Sequence, residues 1–396
     1  MHSRTTQRVA GECGLLCFGG EDWWYHNHGH IDIQLMKRFQ QVMPVLYVNS
    51  IVMRRPCVRE GRMFWTRLGR KTRSILRGAR EVLPGLHVYS PASLPVHHRR
   101  AGRALNQRLV AAQVGWQVGR LLSPRPAVWV ACPAACDVAL SISRSVLAYQ
   151  RSDIWENYPG VDREQIAAYD RRLKAAADVT FFVNHKMMRE ETSQCRKAVF
   201  LDHGVDFERF ATAAQSPFVP PEMRGLSRPI IGFFGDLDGG IVDLDLICDV
   251  VDRLRDRRFV FVGGNSLGTA WLAGRPNVTL IPRRPYEMIA HYGKCFDVAL
   301  MPWQQNDWID RCNPVKLKEY LALGKPVVST PFSELDQYDG QVYRAAGADA
   351  FAEAIRLALA EDSTERARAR QEWVRGASWE SRARLALESL GIGEGQ

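Results

Sequence analysis

The chain has 396 residues, which exceeds one ordinary globular core and suits two domains of nearly 200 residues each. Hydrophobic residues make up 46% of it and charged residues 24%, a balance that excludes an intrinsically disordered protein. No apolar run approaches the roughly 18 residues that span a bilayer, and we expect no signal peptide. The nine cysteines form no CxxC pair, which is typical of reduced cytosolic proteins.

The net charge of +10 is concentrated in one segment. Residues 54–80 contain ten Lys or Arg and a single acid, Glu60, which gives a local charge of +9. The remaining chain is therefore nearly neutral, and the excess charge requires a local explanation.

Short apolar runs alternate with helical patterns along the first half of the chain. The runs predict buried parallel strands at 14–20, 44–50, 86–91, 127–133, 145–153 and 178–184. Strands that are apolar throughout and are separated by helices indicate a parallel, doubly wound α/β sheet.

A proline-rich stretch without periodicity, 214–229, predicts a hinge. The α/β pattern then restarts, which predicts a second Rossmann-like domain. We predict a first domain at 1–210, a linker at 211–229, a second domain at 230–375 and a C-terminal helical segment at 376–396 that returns to the first domain. Ligands of such sheets bind at the carboxyl ends of the strands.

The segment CNPVKLKEYLALGKPVVSTP, 312–331, has the most specific pattern. Pro314 suits the first turn of a helix, where its missing amide hydrogen has no cost. The free amides and the positive dipole end of that helix favour a diphosphate. Lys316 adds a cation there, and the carboxylate of Glu319, one turn further, can accept two hydrogen bonds from ribose hydroxyls.

This segment resembles the donor-binding signature of family 4 GT-B glycosyltransferases. The positions that match in register are Pro314, Glu319, Ala322, Gly324, Pro326, Val327 and Val328. The runs FLDHGVDFERF, IIGFFGD and FDVALMPW resemble other parts of the same family. The resemblance implies a GT-B fold, an α/β architecture of two Rossmann-like domains with parallel doubly wound sheets that face each other across a cleft.

Two departures from the family pattern affect the predicted donor site. Arg311 replaces the first glutamate of the signature, so Asp307 or Asp310 could substitute for it. The basic pair that usually follows the first glycine turn is missing, so Arg311, Lys316 and the helix dipole would carry the phosphate charge. Arg283 or Arg284 could add to it, and the alternative for these two is a solvated surface role. The predicted donor-binding residues are Gly235, Asp236, Arg283, Arg311, Asn313, Pro314, Val315, Lys316 and Glu319.

The loops after the first-domain strands predict the acceptor side. Gly19 and Gly20 follow the first strand and allow close backbone approach. The predicted acceptor-binding residues are Gly19, Gly20, Trp23, Trp24, His26, His28 and Gln150, and the predicted catalytic residues are Asp22, His30 and Asp153. Gln150 occupies the position of a histidine that is functional in many relatives.

The alternating histidines His26, His28 and His30 would share one face of a strand and could bind a metal ion there. The segment instead follows a strand, precedes a helix and contains Gly29. The family chemistry also requires no metal or other cofactor, so we favour contact with an acceptor, with plain loop packing as the alternative.

The basic segment contains Phe64, Trp65, Leu68, Ile75, Leu76 and Ala79 at near-helical spacings with cations between them. Such a helix favours an anionic membrane surface. The alternatives are an ordinary amphipathic helix that packs on the sheet, and nucleic-acid binding, which we do not expect because no recognised motif accompanies the charge.

The resemblance implies a retaining, metal-independent glycosyltransferase that uses a nucleotide-diphosphate sugar. We expect a cytoplasmic enzyme, peripheral on the inner face of the membrane, that acts on a glycan or lipid-linked acceptor in bacterial polysaccharide biosynthesis. The alternatives are a sugar-nucleotide epimerase or hydrolase of the same fold, and a catalytically degenerate protein that binds sugar nucleotides.

Overall fold

The computed structural model of the chain describes residues 8–9, 14–25, 28–51, 62–93, 100–158 and 160–393. Contacts divide the chain into two compact units. The first unit consists of Met1–Asp202 and Arg382–Gln396, and the second consists of His203–Ser381.

The first unit is built on an eight-stranded sheet. A short strand, β1 (Arg8–Val9), precedes this sheet. The strands of the sheet are β2 (Leu15–Phe18), β3 (Val45–Val48), β4 (Arg80–Leu83), β5 (Leu86–Tyr89), β6 (Ala127–Val130), β7 (Val146–Arg151), β8 (Val179–Phe182) and β9 (Ala198–Phe200). The strand order is β4-β5-β3-β2-β6-β7-β8-β9, and every pair is parallel except β4 with β5. β2, β3, β6 and β8 are buried along their whole length because helices cover both faces of such a sheet.

Helices connect these strands. They are α1 (Ile31–Phe39), α2 (Arg62–Leu76), α3 (Arg100–Leu121), α4 (Cys136–Ser141), α5 (Arg163–Ala176) and α6 (His185–Glu191). α5 begins after Asp162, whose carboxylate accepts a hydrogen bond from the backbone N–H of Gln165 and so satisfies one of the free donors of the first turn. β2 ends at Phe18 and α1 begins at Ile31, so the tryptophan and histidine segment lies in a loop at the carboxyl edge of the sheet.

The second unit contains a six-stranded parallel sheet in the order β12-β11-β10-β13-β14-β15. In chain order its elements are α7 (Phe207–Gln215), β10 (Ile230–Phe234), α8 (Leu244–Arg253), β11 (Arg258–Val262), β12 (Val278–Ile281), α9 (Tyr286–Gly293), β13 (Val298–Met301), α10 (Val315–Ala322), β14 (Val327–Ser329), β15 (Val342–Arg344), α11 (Ala348–Glu361) and α12 (Thr364–Arg375). The central strand β10 separates two apolar clusters, one on each face of the sheet. The predicted α/β class, with two Rossmann-like domains and predominantly parallel sheets, is confirmed.

The boundaries differ from those that the sequence suggests. The predicted linker, 211–229, lies inside the second unit, where α7 ends at Gln215 and Met223 is buried in the core. The C-terminal segment predicted at 376–396 contains the helix α13 (Trp379–Ser389), and the division between units falls within this helix. The last strand, β16 (Ile392–Gly393), pairs with β1 in the first unit.

None of the helices within the described ranges combines the length and the apolar character that a bilayer crossing requires.

Candidate functional site

The carboxyl ends of β10 and β13 position the predicted donor residues of the second unit. β13 is followed by an irregular segment that ends at Asn313 and Pro314, both buried, and α10 begins at Val315. Pro314 is the N-cap residue of α10, in extended conformation, so it precedes the helix rather than lying in its first turn. The helix N-terminus lies beside the turn after β10, because β10 and β13 are neighbours in the sheet.

Lys316 extends from the first turn of α10 across Gly235, the residue that follows β10. A Cβ atom built on Gly235 would lie 2.8 Å from the Lys316 Nζ, so the close approach of this lysine to the backbone requires glycine. The φ of Gly235 is +141°, a backbone conformation that also requires glycine. The ammonium group also lies 5.6 Å from the centroid of the Phe233 ring. Among the described residues, no hydrogen-bond acceptor or carboxylate is paired with it. Burial lowers the pKa of Lys316, although Glu319 and Asp236 oppose this shift.

Glu319 lies one turn further along α10 and is only 3% exposed. Its Oε1 accepts a hydrogen bond of 2.8 Å from the hydroxyl of Tyr286, the first residue of α9. No described residue donates to the other oxygen, Oε2. Burial raises the pKa of Glu319 to about 7, although the Tyr286 hydrogen bond and the Lys316 charge both act to lower it. Burial therefore disfavours the ionised form of Glu319, and Oε2 is left to accept a hydrogen bond from a ligand.

The remaining cations predicted for the donor phosphates are paired with acids. Arg283 forms an ion pair with Asp236, whose Oδ1 accepts a hydrogen bond of 2.8 Å from the backbone N–H of Gly264. Arg311 forms an ion pair with Asp307. Arg284 is committed elsewhere, since it pairs with Glu222 and donates to the Tyr292 hydroxyl at 3.0 Å.

The sequence therefore anticipated Gly235, Asp236, Lys316 and Glu319, which the second unit brings together. It missed Tyr286, which only the fold places next to Glu319, and Arg209, whose guanidinium lies 5.3 Å from the centroid of the Tyr286 ring.

In the first unit, the two glycines after β2 use their amides internally. The Gly19 N–H donates to the Val48 carbonyl at 2.9 Å, and the Gly20 N–H donates to Oδ2 of Asp32 at 2.8 Å. The hydroxyl of Tyr47 also lies 2.9 Å from this oxygen. Sequence reasoning missed both Asp32 and Tyr47. Their bonds fix the backbone of the loop, so neither glycine amide is available to a ligand.

Trp23 and His28 pack against each other, and the burial of Trp23 corrects its predicted role as an acceptor contact. Trp23 is 5% exposed, and its ring centroid lies 4.9 Å from that of His28. A ring nitrogen of His28 lies 2.9 Å from the Trp23 carbonyl oxygen. Trp23 cannot stack on a sugar because protein atoms already cover its ring. His26 lies outside the described residues.

Trp24 and Asp22 face helix α2. The guanidinium of Arg77, just after α2, lies 4.5 Å from the Trp24 ring centroid. Oδ2 of Asp22 accepts a hydrogen bond of 3.2 Å from the hydroxyl of Ser74. The exposed ring of His30 lies 3.9 Å from a carboxylate oxygen of Glu21. The basic helix is thus attached to the loop that carries the predicted acceptor residues.

Gln150 and Asp153 at the end of β7 are both used within the protein. Gln150 is 1% exposed, and its Oε1 accepts a hydrogen bond of 2.9 Å from Trp129 Nε1. The two carboxylate oxygens of Asp153 accept bonds from the Ile154 N–H at 2.8 Å and from the Tyr158 hydroxyl at 2.6 Å. These contacts correct the predicted acceptor role of Gln150, and they give Asp153 a structural role in the turn.

Arg151, between these two residues, is the centre of a buried charge network that sequence reasoning missed. Its guanidinium donates two hydrogen bonds of 3.0 Å to Glu156 and lies 3.3 Å from Asp170 and from Glu191. Lys174 completes the network through Asp170 and Glu191. The available signal was a charged residue directly at the end of an apolar strand. The network connects the loop after β7 to α5 and α6.

Across the residues that the structure describes, no group of three or more His, Cys, Asp or Glu side chains is placed to hold a metal ion. The expectation of a metal-independent reaction remains a prediction.

Comparison with known proteins gives one family match. The family model described as Glycosyl transferases group 1 matches residues 228–361. The putative teichuronic acid biosynthesis glycosyltransferase TuaH of Bacillus subtilis (strain 168) is 24% identical over 223 residues, which cover 52% of this chain and 55% of that protein. The chain thus spans about half the length of this curated relative.

Solved structures resemble nearly the whole chain. Anabaena HepE in complex with UDP has a TM-score of 0.65 at 12% identity, over 96% of this chain and 99% of that chain. Sucrose-phosphate synthase from Thermosynechococcus elongatus has a TM-score of 0.66 at 14% identity, over 96% of this chain and 98% of that chain. At these identities the resemblance is one of fold.

Proposed function

We propose that this chain, which has the GT-B fold and carries a Glycosyl transferases group 1 domain at 228–361, transfers a sugar from a nucleotide-diphosphate sugar to a glycan or lipid-linked acceptor. One observation carries the proposal. The ammonium of Lys316 has no hydrogen-bond or ion-pair partner among the described residues, and it lies over a side-chain-free backbone one turn from the buried carboxylate of Glu319. A diphosphate would pair with the Lys316 ammonium, and a ribose hydroxyl would donate a hydrogen bond to the Glu319 carboxylate.

In this proposal the second unit binds the donor. The Lys316 ammonium offsets the charge of the diphosphate, and backbone N–H groups at the start of α10 donate hydrogen bonds to it. Oε2 of Glu319 accepts a hydrogen bond from a ribose hydroxyl, while Tyr286 holds the other oxygen at 2.8 Å. The structure of HepE, which is described in complex with UDP, supports a nucleotide donor of this kind.

The proposed chemistry needs no residue that forms a covalent bond with the sugar. The bond between the anomeric carbon and the donor phosphate oxygen breaks, and the acceptor hydroxyl oxygen bonds to the anomeric carbon from the same face. The departing phosphate oxygen takes the acceptor proton, so charge and atoms balance and the configuration is retained. Lys316 stabilises the negative charge that develops on this phosphate, a role that does not require a metal ion.

For the acceptor, we propose a cell-surface polysaccharide intermediate that the first unit binds. The similarity to a protein named for teichuronic acid biosynthesis supports this setting. Trp24, Asp22 and His30 remain the candidate acceptor-side residues, because they lie in the loop at the carboxyl end of β2.

Nucleoside-diphosphate release separates transfer from the rival reactions. A set of UDP-, GDP-, ADP-, CDP- and TDP-linked sugars is incubated with the protein, with and without a detergent extract of bacterial membranes as the acceptor source. We expect release only when the extract is present, and a product linkage whose anomeric proton coupling matches that of the donor. Release without the extract would indicate a hydrolase, and interconversion of the sugar without release would indicate an epimerase.

We also propose that α2 contacts an anionic membrane surface. Trp65, Leu68 and Leu76 are 67%, 46% and 79% exposed, and their spacing places them along one side of the helix. α2 contains no acid, and Arg73 is exposed beside this apolar stripe. An exposed apolar stripe with adjacent cations complements an anionic lipid surface.

Replacing both Trp65 and Leu76 by Glu is expected to weaken membrane binding at least tenfold, because it adds two negative charges and removes the apolar stripe. The measurement is co-sedimentation with vesicles of phosphatidylcholine that contain phosphatidylglycerol. Leu357→Glu, at a leucine of the second unit that is 46% exposed, serves as the control. Equal sedimentation of the double variant and the unchanged protein would rule out α2 as the contact.

A further inference from the structure

Three guanidinium groups lie on one side of helix α2 and the turn that follows it. Arg70, Arg73 and Arg77 have the spacing i, i+3 and i+7, which places them on the same helix face. α2 contains no acidic residue, and none of these three side chains forms an ion pair with a carboxylate of the described residues. Their positive charge is therefore not neutralised within the described part of the protein.

Two aromatic rings fix two of these cations in place. The Arg77 guanidinium lies 4.5 Å from the ring centroid of Trp24 and 5.7 Å from that of Tyr25. The Arg70 guanidinium lies 5.4 Å from the Tyr25 centroid. A ring face attracts a cation but leaves its hydrogen-bond donors free, so these contacts orient the guanidiniums without neutralising them.

Asp22, an acid of this loop, contacts α2 and the loop backbone. Asp22 accepts a hydrogen bond of 3.2 Å from Ser74 and one of 3.0 Å from the Trp24 backbone. Burial lowers the pKa of Lys71, and the charge of Asp22 opposes that shift. The Lys71 ammonium also donates to the Ser50 carbonyl at 3.3 Å. These contacts attach α2 to the loops after β2 and β3.

We infer that Arg70 and Arg77, oriented by Tyr25 and Trp24, bind an anionic group of the acceptor. This inference rests on the proposed function, in which the first unit binds the acceptor. The cations lie at the carboxyl end of β2, which is the ligand-binding edge of an open α/β sheet. The anionic group is a carboxylate of the accepting sugar or the phosphate of its anchor, since a guanidinium recognises either one with paired hydrogen bonds.

The test compares three soluble probes that contain glucose or its C6-oxidised form, glucuronic acid. They are butyl glucoside, which is neutral, butyl glucuronide, which carries a carboxylate, and the butyl ester of glucose 1-diphosphate. The butyl chain is too short for the probes to form micelles. Contact between this chain and the apolar stripe of α2 therefore contributes little to the measured affinity. Affinities are measured by isothermal titration at low salt, with the unchanged protein, with the double variant Arg70→Gln and Arg77→Gln, and with Arg108→Gln as the control, an exposed arginine of α3.

We expect at least one anionic probe to bind about tenfold or more tightly than the neutral probe, and the preference to weaken as salt rises. The double variant is expected to lose the preference, Arg108→Gln to keep it, and Arg77→Lys to retain part of it. The preferred probe identifies the source of the charge. Equal binding of all three probes, or a preference that survives in the double variant, would overturn the inference. Thermal shifts with nucleoside diphosphates test the donor site separately, so failure of the proposed function is distinguishable.

Discussion

Replacing Lys316 by Ala is expected to weaken nucleoside-diphosphate binding about 30- to 100-fold without lowering the melting temperature of the protein. The loss corresponds to roughly 2–3 kcal/mol, the usual contribution of a charge-assisted hydrogen bond to a phosphate. Stability should not fall, because no described residue forms a hydrogen bond or ion pair with the ammonium, and burial lowers the pKa of Lys316. The measurements are isothermal titration with the preferred nucleoside diphosphate and thermal unfolding without ligand.

Lys318, two residues further along α10, provides the matched control. It is buried and donates a hydrogen bond to the backbone carbonyl of His203. Lys318→Ala should therefore lower the melting temperature and leave the affinity of the residual folded protein largely unchanged. A Lys316→Ala variant that unfolds more easily but binds normally would contradict the assignment of Lys316 to the phosphates.

Glu319→Gln is expected to stabilise the protein at pH 8 while it weakens donor binding. The folded-state pKa of Glu319 is about 7, whereas its ordinary value is 4.5. Between these values the folded state binds more protons than the unfolded state, so stability falls as pH rises from about 4.5 to 7 and stays lower above that. The difference amounts to at most about 3 kcal/mol. Glutamine does not titrate, and it retains an oxygen for the Tyr286 hydroxyl.

The measurement is urea-induced unfolding of the unchanged protein and of Glu319→Gln at pH 5 and pH 8. We expect nearly equal stabilities at pH 5 and a variant that is more stable by about 1–3 kcal/mol at pH 8. Glu353→Gln, at an exposed position on α11, controls for the loss of one charge. A stability difference that does not change with pH would show that Glu319 is not a strained buried carboxylate.

A residue that reduces stability but binds a ligand is expected at a functional site, because binding requires groups that the fold leaves incompletely satisfied. Lys316 and Glu319 both have this character, as each is buried enough to shift its pKa and each keeps a polar atom without a partner among the described residues. Arg283 and Arg311 lack it, since their charges are neutralised by Asp236 and Asp307.

The elements of the fold could be predicted from the sequence because their signals are local. The apolar runs predicted the buried strands. The pattern around Pro314 and Gly324 predicted α10 and the strand after it. The proximity of Gly235 to Lys316 was predictable only through the family resemblance, since it depends on β10 and β13 being neighbours.

The errors concern contacts between residues distant in the chain. Trp23 is a large aromatic residue in a loop, and nothing local indicates that its backbone N–H donates to the Asn49 side chain at 2.8 Å and that its ring is covered. Gln150 is polar at the end of a strand, yet Trp129 on the neighbouring strand β6 binds it in the interior. The role of Tyr286 depends on Glu319, 33 residues away.

The central claim is that the second unit binds a nucleoside diphosphate through Lys316 and α10. Its most direct test is thermal unfolding of the unchanged protein and of Lys316→Ala with UDP, GDP, ADP, CDP and TDP, each with and without EDTA. A ligand that binds only the folded state raises the melting temperature. The account predicts a rise with at least one diphosphate, unaffected by EDTA and greatly reduced in Lys316→Ala. No rise with any diphosphate, or an equal rise in the variant, would contradict it.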